Sequence, residues 1–204
     1  MLNQSYDDAV DAWEEVEREQ AVRPALKSKS DDATGLPKIT PNEFFDLLCR
    51  YVATNHALVQ PSSSSQCCFA TCCCLEMSQD AKIDKQRLLS LASLPGNCEN
   101  TEAVTRALTT VYTSLLRCSV PSRYGNHWEL IGFQGMDPLT DLRGVGMFGL
   151  LQLLVLVTNE NWQEHVQKIF WLSQDSKQEF PFAVVSLNIS KTVLQMLKSG
   201  ALDK

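Results

Sequence analysis

The stretch that most constrains the fold runs from Val145 to Val157. It reads Val-Gly-Met-Phe-Gly-Leu-Leu-Gln-Leu-Leu-Val-Leu-Val, with Gln152 as its one polar side chain. A helix that is apolar on all sides has to be covered on all sides. The run is too short and too rich in glycine for a bilayer, which needs roughly 20 apolar residues. It is therefore expected as a buried core helix, and the rest of the chain must supply the faces that cover it.

Several segments are built to do so. Thr40-Pro41-Asn42-Glu43 places Thr at N-cap, Pro at N1 and Glu at N3, and Phe44, Leu47, Leu48 and Tyr51 follow at the helical period. A helix is expected from about Pro41 to about Ala57. Lys82 to Leu94 carries Ile83, Leu88, Leu91 and Leu94 and stops at Pro95-Gly96. From Glu102 to Arg117, Val104, Leu108, Val111, Tyr112, Leu115 and Leu116 form a broad apolar stripe. Gln163 to Ser173 repeats the pattern through Val166, Ile169, Phe170 and Leu172. The last segment, Phe182 to Leu197, fits a helix, although the β-branched run Val184 to Ile189 also suits a short strand. The expected fold is an all-α helical bundle preceded by a disordered tail.

The N-terminal part reads differently. Met1 to Gln20 is acidic, with Val10, Trp13 and Val16 at helical spacing, which suits a short frayed helix or a docking motif. Ala21 to Lys38 mixes Pro, Gly, Ser and charge as linkers do. Residues 1–39 are thus expected as an acidic, largely disordered tail, 40–79 as a helix with a Ser/Cys-rich linker, and 80–204 as the folded domain. That linker holds Cys67, Cys68, Cys72, Cys73 and Cys74 beside apolar residues. Their spacing fits no zinc motif, so no metal is expected; S-acylation is the functional alternative to a plain loop. No signal-peptide pattern opens the chain, which puts the eight cysteines in a reducing cytoplasmic setting, where the sequons at Asn3 and Asn188 have no consequence. A net charge of -6 without a Lys/Arg cluster argues against nucleic acid as a partner.

A polar, aromatic and glycine-bearing stretch leads into the core helix: Trp128-x-x-x-Gly132-Phe133-Gln134-Gly135-x-Asp137-Pro138-x-x-Asp141-Leu142-Arg143-Gly144-x-Gly146. A guanidinium at the mouth of an apolar element is costly unless paired, solvated or kept for a ligand. Arg143 is therefore either a clamp on Asp141 or Asp137, or a functional group. The Gly144-x-Gly146-x-x-Gly149 spacing, with Glu164 about 20 residues on, matches the dinucleotide fingerprint, but no apolar strand precedes it. No cofactor is expected, and these glycines are better read as permitting close helix approach. His56, His127 and His165 form no His-Glu-x-x-His motif, and there is no nucleophile elbow, so no self-contained enzyme is implied.

The same string resembles the signature of the engulfment-and-cell-motility (ELMO) domain family, with Leu142 where Phe is commoner. It looks most like the stand-alone ELMO-domain-containing branch, whose members are GTPase-activating proteins for ADP-ribosylation-factor-like small GTPases. The resemblance implies that Arg143 is the residue tied to activity, acting on the GTP-bound partner, and that Trp128, Gly132, Phe133, Gln134, Asp137, Pro138, Asp141, Gly144 and Gly146 support it. It also implies a cytoplasmic protein associated with cytoskeleton or membrane surfaces. A non-catalytic adaptor, as in the ELMO scaffolds that lack this arginine, is the alternative. The resemblance covers about Lys82 to Leu197, and the family domain usually continues beyond that point. A truncated domain with exposed apolar faces is the resulting expectation.

Overall fold

The computed structural model describes residues 37–55, 77–96 and 101–203. Six α-helices follow in order: α1 (Pro41–Asn55), α2 (Gln79–Ser93), α3 (Thr101–Leu116), α4 (Gly146–Thr158), α5 (Gln163–Ser173) and α6 (Phe182–Ser199). Two 3-10 segments, Asn126–Ile131 and Pro138–Gly144, lie between α3 and α4. There is no strand among the described residues. The all-α expectation holds; the acidic tail, His56 and the five clustered cysteines lie outside the described residues.

Helix α4 is the hub. It packs against α1, α2, α3, α5 and α6, and Met147, Phe148, Leu150, Leu151, Leu153, Leu154 and Val157 are all buried. Each surrounding helix brings its stripe inward: Phe44 and Leu48 from α1, Leu91 from α2, Leu108, Val111 and Leu115 from α3, Phe170 from α5, Leu187 and Leu194 from α6. Burying such a side chain contributes about 1.5–3 kcal/mol apiece. The core therefore sits along α4 and not between layers.

Local chemistry sets the helix ends. Thr40 Oγ1 accepts from the Glu43 amide at 3.2 Å, as a capping residue should. The Glu43 carboxylate does not close the capping box in return; it pairs with Arg106 Nη1 of α3 at 2.8 Å and so joins α1 to its neighbour. Helix α2 begins three residues before the expected Lys82, because Ser78 caps it by accepting from the Ala81 amide at 3.2 Å.

The strand alternative for Val184 to Ile189 is overturned. Phe182, Ala183, Leu187, Ser190 and Leu194 are buried along one face at helical spacing, which outweighs the β preference of Val184, Val185 and Ile189. Gly200 ends α6 in the left-handed conformation, with φ of 76°. Just beyond it, Asp203 pairs with Lys85 of α2 at 2.6 Å, tying the end of the chain to the bundle.

Candidate functional site

The signature forms the connection from α3 to α4, and most of it is scaffold. Trp128 is 1% exposed. Its ring meets Tyr112 of α3 and Phe133 edge-on, with centroids 5.3 and 6.2 Å away. Its indole N–H donates to the Arg123 carbonyl at 3.0 Å, so the buried polar atom is satisfied. Pro138, Leu142 and Gly146 are also buried.

Two of the glycines are dictated by close approach. Gly132 has φ of 85°, and a Cβ there would lie 2.3 Å from the Phe182 amide nitrogen. Its carbonyl accepts from the Val184 amide at 3.1 Å, locking the signature onto the start of α6. Gly146 has φ of 56°, and a Cβ there would meet the Ala92 carbonyl oxygen at 2.5 Å. The Met147 amide donates to the Leu94 carbonyl at 3.2 Å, fixing the start of α4 against the end of α2. Gly149 similarly faces Leu187 of α6, whereas Gly144 is exposed and has only the Lys191 side chain near it. The helix-approach explanation thus applies to Gly146 and Gly149 and not to Gly144. A 3-10 segment, not a strand, precedes this helix, which leaves the dinucleotide spacing without its required context.

Asp137 caps the second 3-10 segment. Its Oδ1 accepts from the Leu139 amide at 3.0 Å and from Arg123 Nη2 at 2.9 Å. Asp141 pins the preceding turn, its Oδ2 accepting from the Gln134 amide at 2.7 Å. Burial pushes the Asp141 carboxyl above its ordinary value; the Gln134 hydrogen bond and the Arg143 charge oppose that shift, and Asp137 adds to it. Gln134 itself points its side chain at solvent.

Arg143 stands at the end of this segment, exposed, with no hydrogen bond or ion pair among the described residues. Of the two clamp partners considered for Arg143, Asp137 is held by Arg123 instead, and toward Asp141 Arg143 contributes its charge without an ion pair. The reason lies in 3-10 geometry, where three residues make a turn of roughly 2.0 Å rise each. Asp141 and Arg143, two apart, do not stack on one face, so the Arg143 charge reaches Asp141 without an ion pair, and Asp137 is two turns away. Arg123 escaped the sequence reading because its partner lies 14 positions on; the visible signal was a second arginine just before the signature with an unclaimed aspartate in it. Tyr124 lies over the Arg123 guanidinium, 4.7 Å from ring centroid to Cζ. Arg123 Nη1 and His127 Nε2 are buried without a hydrogen-bond partner.

Arg143 and Arg123 line one cleft of about 670 Å³, whose other walls include Leu94, Thr101, Asp137 and Leu139. The N-terminus of α3 opens onto it, adding the positive end of a helix dipole. Tyr124, Leu130 and Met136 are large apolar side chains exposed around the signature. Among the described residues no group of His, Cys, Asp or Glu is placed to hold a metal, and no helix is long and apolar enough to cross a membrane.

Among the described residues, the helical bundle thus presents Arg143, without a hydrogen bond or ion pair, on a capped 3-10 segment beside a cleft. Residues 85–204 match the model of the ELMO/CED-12 family, and the chain belongs to that family. It is similar to ELMO domain-containing protein 3 of Homo sapiens, 42% identical over 100 residues that cover 48% of this chain and 26% of that protein. It is similar also to ELMO domain-containing protein 2 of Homo sapiens, 37% identical over 81 residues covering 40% and 27% of the two chains. With ELMO domain-containing protein B of Dictyostelium discoideum the identity is 38% over 76 residues, 37% of this chain and 26% of that one. The matched region spans about a quarter of the length of these curated relatives. No solved structure matches.

Proposed function

We propose that this chain is a GTPase-activating protein for an ADP-ribosylation-factor-like small GTPase, with Arg143 as an arginine finger supplied in trans. The observation that carries this reading is the state of Arg143: exposed, unpaired among the described residues and mounted on a segment fixed at both ends. The GTPase supplies nucleotide, magnesium and attacking water; the missing element is a positive group for the charge that develops on the transferring phosphoryl. A guanidinium is always protonated and donates in a planar fork, which suits that task. Pre-positioning lowers the entropic cost of delivering it. Asp141 and Asp137 do this through the backbone, by holding the turn and the segment while forming no hydrogen bond or ion pair with the arginine.

A second reading is favoured by Tyr124, Leu130 and Met136, whose exposure around the signature offers contact area to a partner without any chemistry. On that reading the chain is an adaptor. Single-turnover GTP hydrolysis by a panel of ADP-ribosylation-factor-like GTPases, with and without this chain, separates the two. Stimulation of at least about 10³-fold on one member supports the finger. Binding to the GTP form with no stimulation leaves the adaptor.

A further inference from the structure

Close backbone approach leaves Gly144 unexplained, and a cation lies beside it. Helix α6 packs on the 3-10 segment that ends at Gly144. The stem of Lys191 runs over that glycine, with Cδ and Cε 3.8 and 3.9 Å from the point where a Cβ would stand. Lys191 is exposed and forms no ion pair among the described residues. Arg143, the residue before Gly144, is likewise without one. The carboxylates of the segment and of the chain end are engaged elsewhere: Asp137 by Arg123, Asp203 by Lys85, and Asp141 by the Gln134 amide. Helix α6 carries no carboxylate, and Lys198 follows Lys191 two turns on along the same face. Two cations without ion pairs thus flank one backbone position, in a protein whose net charge is -6. Like charges held this close repel, and an anion brought against them relieves that cost.

We propose that Lys191 docks an acidic side chain of the GTPase, beside the point where Arg143 enters it. The inference rests on the GTPase-activating reading of Arg143. A finger must bring its guanidinium to about 2.7–3.1 Å from a phosphoryl oxygen inside the partner, so the partner covers whatever stands next to Arg143. Lys191 stands there, its stem over the adjoining residue. The two cations suit different targets. The guanidinium matches a phosphoryl group with its planar fork, whereas an ammonium is a point charge on a flexible stem that takes a single carboxylate. A charge at the rim of an interface acts on encounter and register more than on the chemical step. Lys191 therefore governs how readily the GTPase is engaged, and Arg143 how fast its bound GTP is cleaved. The same geometry disfavours a lipid surface as the partner of Lys191, because a membrane lying over it would close Arg143 off from the GTPase.

Steady-state kinetics of stimulated hydrolysis test this, with the most responsive GTPase of the panel, in its GTP form, as the substrate. Lys191→Glu is expected to raise KM about tenfold with kcat unchanged, and Lys191→Gln about threefold. Lys191→Arg is expected to keep the parent KM, and the salt dependence of kcat/KM to flatten in Lys191→Gln. Lys198→Glu makes the same change of net charge about 10 Å further along α6 and is expected to raise KM by less than about twofold. Lys191 and Lys198 are exposed, so all four variants are expected to melt as the parent does. Three results overturn the docking: a parent KM in Lys191→Glu, an equal rise in KM for Lys198→Glu, which reduces the effect to net charge, or a fall in kcat in place of the rise in KM. With the first of these, loss of binding to vesicles of phosphatidylcholine and phosphatidylserine in Lys191→Glu would assign the cation to a membrane. In each case the function reading stands as long as Arg143→Ala still abolishes stimulation. Absence of stimulation by the parent chain with every GTPase overturns that reading, and the docking with it.

Discussion

At the scale of single residues, the two arginines of the cleft have separable duties. Arg143→Ala removes a side chain with no ion pair, so stability is expected within about 0.5 kcal/mol of the parent, while stimulated hydrolysis falls by about 10³- to 10⁵-fold. Arg143→Lys keeps the charge but not the fork, and a finger is expected to lose most of its effect while a simple electrostatic contact would retain it. Arg123→Ala behaves differently. It strips a partly buried partner from Asp137 and is expected to lower stability by about 1–3 kcal/mol, seen as a reduced melting temperature. Asp141 adds a pH signature. Its native carboxyl titrates above the ordinary 3.8, so its stabilising contribution is fully present below 3.8 and is lost as pH rises through the raised native value. Asp141→Asn, whose amide oxygen can still accept from the Gln134 amide, is expected to erase that decline in melting temperature just above pH 3.8. An unchanged profile would show that burial does not perturb this group.

Among elements, the junctions of the signature with α2 and α6 matter more than any one helix. Gly132→Ala and Gly146→Ala each combine a left-handed backbone with a Cβ set into a neighbouring backbone. Their expected cost is about 3 kcal/mol or more, from strain of about 1–3 kcal/mol plus a similar term for overpacking. Gly135 provides the control. It has φ of 84° but nothing within 4 Å of a built Cβ, so Gly135→Ala should show the backbone strain alone, about 1 kcal/mol. Urea unfolding of the three variants orders them, and equal effects at all three positions would mean that close approach contributes nothing.

For the molecule as a whole, stability depends on α4. Leu153 is fully buried on it, and Leu153→Ala is expected to cost about 2–5 kcal/mol, a large part of the 5–15 kcal/mol typical of a domain. Ile189→Ala, at a side chain 61% exposed on α6, is expected to change stability by less than about 1 kcal/mol. The contrast, read by thermal melting, separates the side chains that hold the bundle from those on its surface.

The helical period and the Val145 to Val157 run determined the class of fold and the identity of the central helix, because covering an all-round apolar helix leaves few alternatives. The order of the signature likewise determined the family. Local signals misled where tertiary contacts compete with them. Val184 to Ile189 has strand-forming residues, yet packing of Phe182, Leu187 and Leu194 against the core makes it a helix. Glu43 sits at a capping-box position, yet Arg106 claims its carboxylate. Only the folded chain shows that Arg123, not Arg143, holds Asp137, since the pair closes over 14 positions across a turn in which the buried Trp128 indole N–H holds the Arg123 carbonyl. Periodicity is a property of neighbours along the chain and can be read from them; the partner of a charge is chosen by whichever group the packing brings within reach.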